Sequence, residues 1–585
     1  MLYGGKFSVS STNGCAACAK APQSMSRLER TIRWNMSNTG FLDWPGQECR
    51  GLRGLSRLCA IALCTTHPET SRPIVAPIQT RRFTMFKPFE SCLAATLAGM
   101  AFQVLAIDQG QGLPSPSEPL TLANANGQNA HWSGVGRLLD DLQCMASLID
   151  SRDPWNPSDG PAYVVTSGHC VDKRNGVIGH DLPLTGKIAF NYFADTLEQR
   201  REFPLKRRVW SSMQGVDLAL LELDASLKEV MAQGVEPLKL GNVTESGVEV
   251  LVLGDPINPG QGLRLATCTQ HNATQVIEYP WVWRNVKSND CRGIDSGSSG
   301  SPVIERSSNQ IVSVLNTTTD TRFGTPACGL NNPCQQVDGK RVSVENLNYA
   351  IPVQRLAGCF REGHADLRLN SCQLLPGFQL EQQELYSLKP INKIATKADG
   401  SEELPLWNFT FTLDTPRYRY KTVRDPLACE NPVGYSGTIA ATDNHINDSI
   451  GPQTGWHFLC LVGVDSAAQR PSLALMGNSL SIAVELLPAA AVPEPDISIK
   501  YQDNGDIKVT WHIDPPNLEG YRVKRGPPGT TDCDDDKGYG NFHHDRTFTF
   551  KAAKLPLTLC SQAQDVIGQR SAVRNDLLQA PETSG

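Results

Sequence analysis

The sequence predicts an all-β fold: two small barrels side by side, followed by two β-sandwich modules. Three observations carry this expectation. Between residues 131 and 360, short apolar runs recur at 162–166, 217–223, 248–253 and 311–315, each bounded by turn residues. Long amphipathic helical periodicity is scarce over the same stretch. The segments 373–490 and 494–585 contain an internal repeat. At 585 residues and 40% hydrophobic content the chain is long enough for several packed units. No stretch reads as a mature transmembrane helix.

Taken in order, residues 1–84 differ from the rest, with 11 Lys and Arg against 4 Asp and Glu, five cysteines and no strand or helix periodicity. Residues 85–106 have the layout of a secretory signal: Met85, a positive end at Lys87, an apolar stretch from 92 to 104, and a small-residue cleavage site at Val104-Leu105-Ala106. Translation is therefore expected to start at Met85. Residues 1–84 then become a mis-assigned, disordered upstream extension, a genuine disordered or targeting extension being the other reading. Residues 107–130, rich in Gly, Pro, Ser, Asn and Gln, read as a linker or short pro-segment. Residues 131–372 form the candidate two-barrel domain. The net charge of −6 becomes −13 once the +7 of residues 1–84 is set aside, and an acidic chain without a basic stripe argues against nucleic acid as partner.

The repeat matches Tyr418-Arg419-Tyr420-Lys421, Cys429, Gly434-Tyr435, Leu459-Cys460 and Asp465 with Tyr521-Arg522-Val523-Lys524, Cys533, Gly538-Tyr539, Leu559-Cys560 and Asp565. The offsets are 103, 104, 104, 100 and 100, so only loop lengths separate the copies. Each copy is expected to clip two strands with one disulfide, Cys429–Cys460 and Cys533–Cys560. Asp503-Asn504-Gly505 between runs 497–501 and 507–511 is a hairpin signal. The second copy resembles a fibronectin type III module through Trp511, Tyr521-x-Val523 and Asp565-x-x-Gly568. The first is expected to be a related β-sandwich.

Beyond residue 106 twelve cysteines remain, an even number that suits disulfides in an exported chain. Cys144–Cys170, Cys268–Cys291 and Cys359–Cys372 are the expected pairs in the barrels, and Cys328 and Cys334 pair with each other or exchange with Cys291. Zinc is not expected, since only Cys328 and Cys334 are close and no histidine adjoins them. Asp532, Asp534 and Asp536 alternate as in a calcium loop, but Gly538 falls one place late and no bidentate glutamate follows, so no metal is assigned. His543-His544 reads as a solvated loop.

Three segments point to chemistry. In Thr166-Ser167-Gly168-His169-Cys170 an apolar run ends in a small-residue turn presenting a histidine, with Cys170 available to tie the loop to Cys144. Asp217 opens an apolar run as a carboxylate able to hold an imidazole tautomer, while Glu222 within that run is expected to face solvent. Ser296-Gly297-Ser298-Ser299-Gly300-Ser301-Pro302 supplies glycines for a tight loop around an exposed hydroxyl.

His169, Asp217 and this loop follow in order at spacings of 48 and 82 residues. Over roughly residues 131–360 the chain thereby resembles secreted bacterial trypsin-like (chymotrypsin-fold) serine proteases. Its Gly-Ser-Ser-Gly-Ser-Pro form is nearest to lysyl and glutamyl endopeptidases. The order excludes an α/β-hydrolase, whose nucleophile precedes the acid and the histidine. The resemblance implies Ser299 as nucleophile, selected by Gly300 and Pro302, with His169 as base and Asp217 as its orienting acid. It implies the amides of Gly297 and Ser299 as oxyanion hole, and a substrate pocket near 293–296 and 312–318, with Asn316 and Thr317 at its wall. Asp295 and Asp320 are possible pocket acids or plain loop residues. Ser298 departs from the animal digestive enzymes, where an aspartate pairs with a new N-terminus, so that mode of activation is not expected. The implied activity is a secreted (extracellular or periplasmic) serine-type endopeptidase acting on protein or peptide substrates. It needs no cofactor and keeps no membrane attachment after signal cleavage. The C-terminal modules would hold it to a surface protein or glycan, or serve as spacers. The alternative is a catalytically silent secreted binding or adhesion protein, which would be expected to have lost a member of the triad.

Overall fold

Continuous apolar runs close two sheets into barrels in this computed structural model, which describes residues 108–580 apart from 154–158, 243, 257–259, 383–388, 514–516, 542 and 544–545. The expected upstream extension and signal segment lie outside the described residues, as does His544. The first barrel uses β1 (Val135–Leu138), β2 (Met145–Ile149), β3 (Pro161–Thr166), β4 (Ile178–Pro183), β5 (Lys187–Phe190), β6 (Arg201–Ser212) and β7 (Leu218–Ser226). The order β6-β5-β1-β2-β3-β7 closes through β7–β6 pairing, and β4 hangs on β6. The second uses β8 (Val248–Gly254), β9 (Arg264–Glu278), β10 (Trp281–Asn289), β11 (Pro302–Glu305), β12 (Gln310–Thr318) and β13 (Asn348–Pro352), ordered β9-β8-β11-β12-β13-β10 and closed by β9–β10.

Both faces of the central strands, such as β2, β3 and β12, are covered, which is why their runs are continuous rather than alternating. Ala146, Leu148, Val164 and Leu221 pack together within the first barrel. Their neighbours Met145, Ile149, Val165 and Leu220 join a second cluster that includes Leu251, Val314 and Ile351 of the other sheet. Each such side chain contributes about 1.5–3 kcal/mol by leaving water. Of the segment expected as a linker or short pro-segment, residues 108–130 pack on both barrels: Leu120–Thr121 pairs with β9, Asp108 meets Arg306 Nε at 2.7 Å, and the Asn124 N–H donates to Asp195 of the first barrel at 2.7 Å. Glu222 also differs from expectation. It is 2% exposed, with Lys206 and Arg207 nitrogens at 2.8 and 2.6 Å, because β6 supplies two cations beside it that a reading of β7 alone cannot see. Among the described residues helices are few and short; the longest of them, Leu227–Ala232, starts on a reciprocal Ser226/Glu229 capping box.

Residues 373–490 form a three-stranded and a five-stranded sheet around Trp407, Phe411, Tyr418 and Leu459. Residues 494–580 form two three-stranded sheets, with Trp511 stacked on Tyr521. The repeat holds at atomic scale. Lys421 lies opposite Cys460, as Lys524 lies opposite Cys560. The Tyr435 and Tyr539 hydroxyls donate to the carbonyls of Cys429 and Cys533, both at 2.8 Å. The cysteines join as 144–170, 268–291, 328–334, 359–372, 429–460 and 533–560. No helix among the described residues is long and apolar enough to cross a membrane.

Candidate active site

The chain brings His169 and Ser299 to one cleft between the barrels, with Asp217 buried behind the imidazole. His169 sits on a single turn after β3. Gly168 is required there, because a Cβ would lie 2.1 Å from the Ser212 carbonyl oxygen. The Ser167 hydroxyl donates to Leu315 O across the barrels at 2.7 Å, and the disulfide from Cys170 fixes the far side of the turn. Asp217, just before β7, is fully buried. One carboxylate oxygen accepts from the His169 backbone N–H at 2.8 Å, and the other lies 2.7 Å from the imidazole Nδ1. Burial opposes charge on the imidazole, but the Asp217 carboxylate and its hydrogen bond outweigh it, and the His169 pKa is raised. With Nδ1 engaged, Nε2 is the nitrogen left for the cleft.

The Ser299 loop is gripped by both barrels. The Met145 N–H donates to Ser299 O at 2.8 Å and the Gly300 N–H to Leu315 O at 2.9 Å. Gly300 has φ +82, and a Cβ there would meet Met145 O at 2.0 Å. The Ser299 hydroxyl lies 3.5 Å from the Asn316 carbonyl oxygen. The Ser298 N–H is bonded to Asp295 O, whereas the amides of Gly297 and Ser299 donate to no protein acceptor among the described residues. Arg137, 8% exposed, donates to Gly297 O at 3.3 Å and to the carbonyls of Asp255 and Gln143, which holds this peptide from behind.

The cleft encloses about 260 Å³, and His169, Ser299, Asn316 and Thr317 all line it. Asp295 and Asp320 line it too, but exposed Arg322 bridges them at 3.1 and 2.6 Å, so neither is a free pocket acid. Sequence reasoning missed Glu278, at the end of β9. Its carboxyl is 3% exposed and accepts the Asn331 N–H at 2.7 Å. Burial pushes it up to about 7, against hydrogen bonds from Asn331 and Thr317 and the nearby His169 charge. Arg137 was missed as well. Nothing local marks either residue, since Glu278 meets Asn331 53 residues on and Arg137 reaches Asp255 and Gly297 118 and 160 residues on. Cys144, His169 and Cys170 cluster as a metal set would, but the two sulfurs are bonded to each other. In the last module Asp536, one of the alternating aspartates, is paired with Arg522 and Arg570 of the module itself.

The family model of the trypsin-like peptidase domain matches residues 148–314, a span that contains His169, Asp217 and Ser299. No curated protein matches the chain. Solved structures that match include the thermostable serine protease AL20 from an extremophilic microorganism, at 17% identity over 38% of this chain and 92% of that one, with a TM-score of 0.27. Protease Anisep from Arthrobacter nicotinovorans matches at 16% identity over 38% and 91%, TM-score 0.24. Kallikrein-related peptidase 10 matches at 15% over 40% and 95%, TM-score 0.25. A trypsin-like peptidase domain is thus present in the chain, its matched span being less than half of the length.

Proposed function

We propose that the protein is a secreted serine-type endopeptidase that hydrolyses peptide bonds through Ser299, His169 and Asp217. The observation that carries this reading is the 2.7 Å contact of Asp217 with His169 Nδ1 in the cleft that also holds the Ser299 loop. Ser299 Oγ attacks the substrate carbonyl carbon while His169 Nε2 takes its proton. Asp217 keeps the imidazole in the tautomer that can do so and stabilises the imidazolium. The amides of Gly297 and Ser299 receive the developing oxyanion, an effect worth on the order of 3 kcal/mol per donor. The imidazolium then protonates the leaving amine, and water resolves the acyl-enzyme by the same exchange. Asn316 and Thr317 form the wall against which the substrate lies.

Export is supported by the signal-like segment from Met85 and by six disulfides. The last module is proposed to be fibronectin III-like, on its two three-stranded sheets and buried Trp511. The test is hydrolysis of casein and of a peptide library by the disulfide-bonded protein beside its Ser299→Ala variant. Cleavage by the parent alone is expected, and the library then reads the preferred residue. Equal activity in both proteins would overturn the assignment of Ser299.

A further inference from the structure

The loop that carries Asp217 is held from outside the first barrel. Between β6 and β7 the chain runs through Gln214 and Gly215, and both touch groups foreign to the first barrel. The Gln214 side-chain amide donates to the backbone carbonyl of Asn478. The Gly215 carbonyl accepts the backbone N–H of Arg284, on β10, at 3.0 Å. Gly215 has φ +74, and a Cβ there would lie 2.5 Å from Arg284 Nη2, so the loop rests directly on the guanidinium.

That guanidinium is 1% exposed, and every one of its donors goes to the first sandwich module. Nε donates to Glu430 Oε1 at 2.9 Å, and Nη1 to Ser479 O at 3.1 Å and to the Ser481 hydroxyl. Nη2 donates to Gly477 O and Ser479 O, both at 3.1 Å. The socket is itself anchored, since Asn478 Nδ2 donates to Leu374 O and Pro376 O at 2.8 and 2.9 Å. A second patch covers the β9–β10 hairpin, where Trp456 and Phe458 of the module pack with Ile277, Val282, Cys328 and Cys334. A buried arginine left without these acceptors would be strongly destabilising. Arg284 is therefore built to be read together with the module.

We propose that the first C-terminal module is a positioning element of the active site: residues 477–481, acting through Arg284 and Gln214, fix the loop that presents Asp217 to His169. Arg284 is a positioning residue; it touches neither Ser299 nor the imidazole. The inference rests on the peptidase reading above. It gives this module a role in catalysis, where sequence reasoning assigned surface attachment or spacing. Loosening the loop weakens the Asp217–His169 hydrogen bond, and displacements of about 1 Å at such sites cost on the order of a hundredfold in rate.

The test uses the full disulfide-bonded chain carrying Arg284→Met, with Arg284→Lys as the conservative variant. The expected result is a fall in kcat of roughly tenfold to a hundredfold with KM changed by less than about threefold. The acid limb of kcat/KM should move to lower pH, because Asp217 is what raises the His169 pKa; Glu278 and Lys173, the other charged groups facing the imidazole, are unchanged. Arg284→Lys should recover part of the rate. The low-field proton resonance of His169 Nδ1, read in a Ser299→Ala background, should shift and broaden with Arg284→Met. A folded Arg284→Met protein with parental kcat, acid limb and resonance would overturn the proposal. If Arg284→Met does not fold, Gln214→Leu removes a single bond to Asn478 and is read the same way, parental values again overturning it. If the parent chain hydrolyses nothing, the peptidase reading fails, while the resonance still decides the positioning role.

Discussion

Two carboxyl groups bear on His169, and they behave differently. Asp217 is an ion-pairing partner through two hydrogen bonds, whereas Glu278 is a buried acid near half-titration at neutral pH. Folding raises the Glu278 pKa from 4.5 to about 7, so its contribution to stability is complete below pH 4.5 and is lost as pH rises through about 7. That contribution is on the order of 3 kcal/mol. Glu278→Gln should therefore flatten the decline of Tm between about pH 5 and about pH 8 without abolishing it, since His169, also raised, titrates in the same sense. It should also move the acid limb of kcat/KM to lower pH, because an anion beside the imidazole is removed. A decline as steep as the parent's would contradict the burial argument. His169, Asp217 and the serine loop could be singled out in the sequence because each has a local pattern: a small-residue turn after an apolar run, a carboxylate opening one, and a glycine-rich loop just before another. Glu278 could not be, because what buries it is the 317–331 segment folding back over the β9–β10 turn.

At the scale of elements, the strands follow the apolar runs closely. The run at 162–166 becomes Pro161–Thr166, and that at 311–315 becomes Gln310–Thr318. The repeat was readable as matched residues, while the lysine–cysteine register the copies share is a finding of the structure. Illegible were features set by a neighbouring strand, such as buried Glu222 with its β6 cations, and the surfaces of the two barrels on which residues 108–130 dock. The turn bearing His169 is tied by Cys144–Cys170, which closes a loop of 26 residues. Replacing both cysteines by alanine should cost about 3 kcal/mol in urea unfolding. It should also lower kcat, because the turn loses its outer anchor. Unchanged stability would show that hydrogen bonds such as Ser167–Leu315 suffice to hold the turn.

For the whole molecule, the barrels and the first module share buried polar contacts, and the two modules are linked by a further one. Lys393 and Asp565 lie 2.8 Å apart at 6% and 0% exposure, with Lys393 also donating to Ala490 O. Removing one partner of such a pair costs about 3–5 kcal/mol because the other charge stays buried. Lys393→Met should thus free the last module, read as faster proteolysis across residues 489–495 and a larger radius of gyration, with peptidase activity retained. Parental values of both would contradict a link at this point. None of this assembly was legible in the sequence. Arg284 and Ser479 stand 195 residues apart, and neither lies in a pattern that names the other. Across all three units, the proposed chemistry depends on an activated Ser299 hydroxyl. It is tested most directly by labelling the disulfide-bonded protein with a fluorophosphonate probe and mapping the adduct by mass spectrometry. A single adduct on Ser299 is expected, absent from Ser299→Ala and strongly reduced in His169→Ala. A folded protein that takes no label, or takes it on another serine, would contradict it.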